Sequence, residues 1–228
     1  MQRDFGNRSN RKQARLKYTI DRMGLDVFRA TVESRMSAPF DPPRPAAFDT
    51  TGDRVGWVEG TDGLWHFGVP IENGRVFDGP ARRLASGLRA VAALGIGRIV
   101  MTPNQSLILA DIPPGARAGV DAVLAAHGIA NPAGGLRRGA VACVALPTCG
   151  LALAESERFL PDVVSALEPI MAREGLAEEE VTIRMTGCPN GCARPYMAEI
   201  GFVGKGPGRY QVWLGGNTTG TRLNRIWK

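Results

Sequence analysis

No apolar run in the 228-residue chain approaches the roughly eighteen residues that a membrane-spanning helix requires, and the N-terminus has no apolar stretch to serve as a signal peptide. Both absences point to a soluble protein of the cytoplasm, with no membrane partner. Histidine is scarce, with only His66 and His127. The glycine fingerprint of a dinucleotide-binding turn is missing, so the chain does not hold NADPH by that route. There is no internal repeat. The sequence also lacks the high charge and low hydrophobicity of a disordered chain: 44% of residues are hydrophobic and 22% charged. Gly 29 and Pro 16 together make about a fifth of the chain, which means many turns without low complexity.

Acidic residues are missing from the two ends. Residues 1–17 carry Arg3, Arg8, Arg11, Lys12, Arg15 and Lys17 against Asp4 alone, and residues 200–228 carry Lys205, Arg209, Arg222, Arg225 and Lys228 with no acid. The net charge of +6 therefore hides two basic ends around an acidic middle, each end suited to a polyanion. No reading helix or interleaved aromatic platform accompanies them, so no nucleic acid partner is expected. The Arg-rich start also has the composition of a transit peptide, but its helix-like pattern continues into Met23, Val27 and Phe28 with no cleavage site.

Three segments follow from the patterning. Residues 1–45 read as a basic helical stretch to about Met36, then a linker holding Pro39, Pro42, Pro43 and Pro45. Residues 46–133 read as a ferredoxin-like half-domain. Its strands are expected at 56–59, 64–69, 98–102 and 106–110, its helices at 81–94 and 114–127, and both helices on one face of an antiparallel sheet. The Asn131–Gly135 break opens a third segment, 134–228. It has a small-residue strand at 140–146, an amphipathic helix at 155–173 with a kink or early end at Pro169, and strands at 181–185, 199–204 and 210–215. The fold class is mixed α+β, a ferredoxin-like half-domain followed by an α/β module.

All four cysteines, Cys143, Cys149, Cys188 and Cys192, fall in the third segment. Two disulfides do not suit a chain with no secretory signal. Buried inert thiols, a structural zinc site and an iron–sulfur cluster are the other readings. Zinc sites usually pair their ligands two to four residues apart, and the first pair here is spaced C-x5-C, the second C-x3-C. Four soft sulfurs fit either metal group. The run Thr186-Gly187-Cys188-Pro189-Asn190-Gly191-Cys192 lets a loop wrap closely around something bulky with its amides turned inward, which is one lever on an iron–sulfur potential.

Thr186 to Pro195, together with Cys143-Val144-Ala145-Leu146-Pro147-Thr148-Cys149, resembles the cluster signature of the sulfite and nitrite reductase haemoprotein family. The likeness extends to Arg3–Arg8, Ala14–Tyr18, Asn104-Gln105, Val203–Tyr210 and Leu214–Asn217. The resemblance implies siroheme coupled to a [4Fe-4S] cluster and the six-electron reduction of sulfite to sulfide, with nitrite or a dissimilatory role as the alternative. It implies Cys143, Cys149, Cys188 and Cys192 as cluster ligands, Cys192 being shared with the siroheme iron. Arg8, Arg11, Arg15 and Lys17 become candidates for siroheme carboxylates; Asn104, Gln105 and Asn190 become candidate cofactor contacts. It also implies an NADPH-linked flavoprotein donor and sulfite as partners. The family's substrate-clamping side chains belong to an N-terminal half with no counterpart here, so the chain reads as a fragment, with no catalytic residue assigned. Its uncovered apolar surface is expected to favour association. A zinc-stabilised structural or nucleic-acid-binding module is the rival of another class.

Overall fold

The computed structural model describes residues 2–10, 13–45, 52–129, 134–217, 219 and 221–227. Arg11 and most of the Asn131–Gly135 break lie outside the described residues. The chain divides into two compact units, Met1–Ala47 and Phe48–Lys228.

In the first unit the expected single helix is broken. Helices α1 (Gln2–Phe5), α2 (Leu16–Met23) and α3 (Leu25–Glu33) are separate elements. Gly24, at φ 80°, divides α2 from α3, a left-handed conformation that glycine adopts without strain. Its amide still caps Ile20 O at 2.8 Å. Charge holds α1 in place: Arg35 pairs with Asp4 at 2.5 Å and its guanidinium stacks 5.2 Å from the Phe5 ring centroid. The hydrogen bonds from Arg35 and Arg3 hold the Asp4 carboxyl down at about 2. The proline-rich stretch 37–45 forms no helix or strand, as expected.

The second unit has two sheets. The first contains β1 (Gly56–Glu59), β2 (Trp65–Val69), β3 (Arg98–Met101) and β4 (Leu107–Ile112), in the order β1-β2-β4-β3 and antiparallel throughout. Helices α4 (Leu84–Ala93) and α5 (Arg117–Ala126) supply apolar residues at helical spacing to one core. Leu84, Leu88 and Val91 of α4, with Val120 and Leu124 of α5, meet Phe67, Val69, Leu109 and Ile112 of the sheet. Burying each such side chain contributes about 1.5–3 kcal/mol. Gly68 is required because a Cβ there would stand 1.9 Å from Arg54 O. At the sheet's other end Trp57 Nε1 donates to Asp121 at 2.8 Å, and Arg117 stacks 3.6 Å over the Trp65 ring. This is the ferredoxin-like layer.

A short helix, α6 (Gly135–Arg138), leads into the second sheet. Here β5 (Ala140–Ala142), β6 (Ile183–Thr186) and β7 (Ile200–Gly206) run parallel, while β8 (Arg209–Leu214) and β9 (Arg225–Ile226) are antiparallel. Helix α7 (Leu160–Arg173) makes the β5 to β6 crossover. It buries Leu160 and Val164 against Ala142, Ile183 and Met185. Two expectations need correction, and one strand was not expected. β5 stops at Ala142 instead of running to Leu146, because Ala145 takes φ 46° and turns the chain. α7 begins at Leu160 and continues through Pro169 to Arg173, since loss of one amide does not outweigh the packing of its buried face. β9 had no periodic signal, being two residues long. Met101 and Leu151 stand 83% and 80% exposed, so apolar surface is left in solvent.

Candidate functional site

Two neighbouring parallel strands deliver the cysteines. β5 and β6 pair with Ala142 opposite Met185, and the pairing continues one step as Cys143 N donates to Met185 O at 3.1 Å. Cys143 and Cys188 therefore emerge at the carboxyl ends of adjacent strands, the place where open α/β sheets hold their ligands. From there the chain forms two loops, 143–155 with Cys149 and 187–194 with Cys192.

Gly187 joins the loops. Its amide donates to Cys143 Sγ at 3.3 Å, and its carbonyl accepts from Leu153 N at 2.8 Å and Ala154 N at 3.0 Å. A Cβ at this position would stand 2.5 Å from Ala154 O and 2.6 Å from the Ala145 Cβ, so only glycine fits. Within the first loop Cys149 N donates to Ala145 O at 2.7 Å. In the second, Gly191 at φ 74° and Arg194 at φ 58° curl the chain, and Asn190 Nδ2 donates to Cys192 Sγ at 3.3 Å. Amides turned toward sulfur, expected from the glycine spacing, are thus present at Cys143.

All four thiols are free; three are half-buried and Cys192 is exposed. Among the described residues no three His, Cys, Asp or Glu side chains gather tightly enough to hold a single metal ion. The four thiols line two loops. Soft sulfurs receiving N–H donors, around a cradle with no room for a Cβ at Gly187, fit a polynuclear iron–sulfur group.

Other residues support the loops without having stood out in the sequence. Tyr196 OH donates to Pro189 O at 3.0 Å, and burial with the nearby Cys188 pushes its phenol up. Buried Asn224 donates to Pro195 O at 2.6 Å and Ala198 O at 3.0 Å. Glu157, almost fully buried, pairs with Arg75, and its carbonyl accepts from Asn73 at 2.8 Å. The only signal for Asn224 or Asn73 would have been a buried amide among loop residues, which patterning does not report.

Asn104 and Gln105 lie in the turn between β3 and β4, where both bond to protein groups. Gln105 Nε2 donates to Ala142 O at 2.8 Å, and Asn104 Oδ1 accepts from Arg194 at 3.0 Å. Arg8, Arg15 and Lys17 are exposed in the first unit, with Arg15 at the N-cap of α2. His127 caps α5, its Nδ1 2.8 Å from Val123 O, and His66 Nδ1 accepts from Asp111 N at 3.2 Å, so both histidines have structural places. A cavity of about 620 Å³ between the two sheets is lined by Asp53, Arg54, Asn104, Arg138, Thr182 and Arg184. It lies toward the N-terminal ends of β5 and β6, away from the thiols. Burial and the neighbouring Arg194 push Arg184 down to about 10.

Two family models match parts of the chain outside the cysteine loops. Residues 1–40 match the family described as "Nitrite and sulphite reductase 4Fe-4S domain", and residues 58–127 match "Nitrite/Sulfite reductase ferredoxin-like half domain". A sulfite reductase [NADPH] hemoprotein beta-component from Methylobacterium sp. (strain 4-46) is 54% identical over 230 residues, covering 100% of this chain and 38% of the relative. One from Xanthomonas oryzae pv. oryzae (strain PXO99A) is 52% identical over 230 residues, covering 100% of this chain and 40% of the relative. The structure of the Mycobacterium tuberculosis NirA protein aligns with 99% of this chain and 43% of its own, at TM-score 0.79 and 32% identity. The chain thus spans about two-fifths of the length of the relatives it matches. Among the described residues no helix is long and apolar enough to cross a membrane. Fold and sequence likeness, each running along essentially the whole chain, make it a member of the nitrite and sulfite reductase haemoprotein family.

Proposed function

We propose that this chain is the cluster-bearing part of a cytoplasmic sulfite reductase haemoprotein, with Cys143, Cys149, Cys188 and Cys192 holding a [4Fe-4S] cluster beside siroheme. The observation that carries the reading is the fastening of two cysteine loops through Gly187 at one end of a parallel strand pair. The names of the relatives add sulfite, NADPH and a beta-component, and a flavoprotein donor subunit is proposed as its partner. When bound, the cluster and siroheme supply the electrons and the iron at which sulfite is reduced to sulfide.

The residues of this chain orient and tune that group. The Gly187 amide and Asn190 side-chain amide donate to Cys143 and Cys192, withdrawing charge from sulfur and raising a cluster's potential. Cys192, the exposed thiol, has a side open to a second metal centre, which supports its role as the ligand shared with siroheme. Arg8, Arg11, Arg15 and Lys17 are proposed to meet siroheme carboxylates through charge-assisted hydrogen bonds.

Anaerobic reconstitution with ferrous iron and sulfide tests the reading. The expected result is a brown chain with about four irons and four acid-labile sulfides per molecule, as the four thiolates of a cubane require. Replacing any one of the four cysteines by serine should reduce that content. One tightly held zinc and no iron–sulfide chromophore would overturn it.

A further inference from the structure

The turn between β3 and β4 reaches both cysteine loops. Gln105 Nε2 donates at 2.8 Å to the carbonyl of Ala142, the residue before Cys143. Asn104 Oδ1 accepts at 3.0 Å from Arg194, two residues beyond Cys192, while its Nδ2 donates to Asp53 at 3.1 Å. Thr102 holds the other oxygen of Asp53 at 2.5 Å and accepts from Ser106 N at 3.1 Å, which closes the turn. Gln105 sits at φ 68°, a conformation that glycine adopts freely and a residue with a side chain does not. A side chain is kept there despite that strain, and its amide goes to the strand leading into Cys143.

We propose that Gln105 and Asn104 are positioning residues, two prongs by which the ferredoxin-like layer holds the cysteine loops at a fixed separation. The first prong fixes the start of the Cys143 loop, and the second fixes the end of the Cys192 loop. Each acts through a backbone carbonyl or through Arg194, so the cradle is held from outside as well as through Gly187. The consequence for iron rests on the cluster reading above; the clamp does not.

Hydrogen–deuterium exchange on the full 228-residue chain tests it directly. Gln105→Met keeps the length and loses the donor without adding a charge. Its amides in 143–154 should exchange about fivefold to tenfold faster, the factor that loss of one net hydrogen bond gives, with β1 and β2 unchanged. Asn104→Ala should do the same for 191–197. Arg194→Ala severs the second prong from the far side without altering the turn, so the Asn104→Ala/Arg194→Ala double variant should add nothing further. After reconstitution with ferrous iron and sulfide, each variant should release iron to a chelator faster by a similar factor.

Unchanged exchange in both loops, or additive effects in the double variant, would overturn the clamp. A parent chain that takes up no iron while exchange shifts as described leaves the clamp and removes the cluster reading. Normal iron uptake with unchanged exchange does the reverse.

Discussion

The ferredoxin-like layer and the cysteine-bearing layer are built by different means. The first is held by large aliphatic side chains: Val69, Leu109, Ile112, Val120 and Leu124 are all at most 2% exposed and meet in one core. The second has a smaller core under α7, and beyond the strand ends its loops rest on alanine, glycine and backbone contacts. Ala142, Ala145 and Ala154 are fully buried, yet they offer little apolar area. The first layer carries its own stability. The second gives up bulk for close approach, and its loops depend on hydrogen bonds.

Three substitutions would break or sharpen that contrast. The largest effect is expected from Gly187→Val, because the added side chain enters space already occupied by Ala154 O and the Ala145 Cβ. Iron uptake after reconstitution should fall by about tenfold or more, as expected when a metal's supporting shell is lost, while exchange protection of β1–β4 persists. Loss of protection in both layers would show one cooperative unit and end the distinction. Leu109→Ala acts on the other side: it opens a cavity in the aliphatic core and should cost about 2–5 kcal/mol in urea unfolding, with iron content in native buffer unchanged. The smallest effect is expected from Asn224→Ala, which removes the side-chain donor to Pro195 O and Ala198 O while the amides of Ala198 and Gly216 still serve them, for about 0.5–1.5 kcal/mol. Its loss should appear as faster exchange around Tyr196 and not in β4.

The first layer was nearly all legible from the sequence, and the reason is the same contrast. Period-two strands, helices with apolar residues four apart and terminal glycines all report side-chain burial, so β1–β4, α4 and α5 fell close to their expected places. Where backbone geometry decides, the pattern was silent. Apolar residues from Ala140 to Leu146 suggested a long strand, but the turn at Ala145 depends on φ and not on hydrophobicity. Pro169 suggested a kink or an early end, but the helix runs on to Arg173, since a helix with a buried face tolerates one missing amide. The cysteine spacing pointed to candidate ligands; it could not show that Gly187 fastens their loops or that Gln105 bonds to the neighbouring strand. The charge on Arg8, Arg15 and Lys17 was visible at once, whereas their polyanion remains a proposal.

The parallel pairing of β5 with β6 also orders events in time. Parallel neighbours cannot be joined by a tight turn, so the whole α7 crossover must be synthesised before Cys143 can meet Gly187. Gly187 in turn packs against Gly204 of β7, where a Cβ would stand 2.4 Å from its carbonyl oxygen. On a growing polypeptide the first two thiols therefore wait unpaired through some sixty further residues of synthesis, from Cys143 to Gly204. The Cys143 loop thus gains its Gly187 fastening only after the crossover has been synthesised.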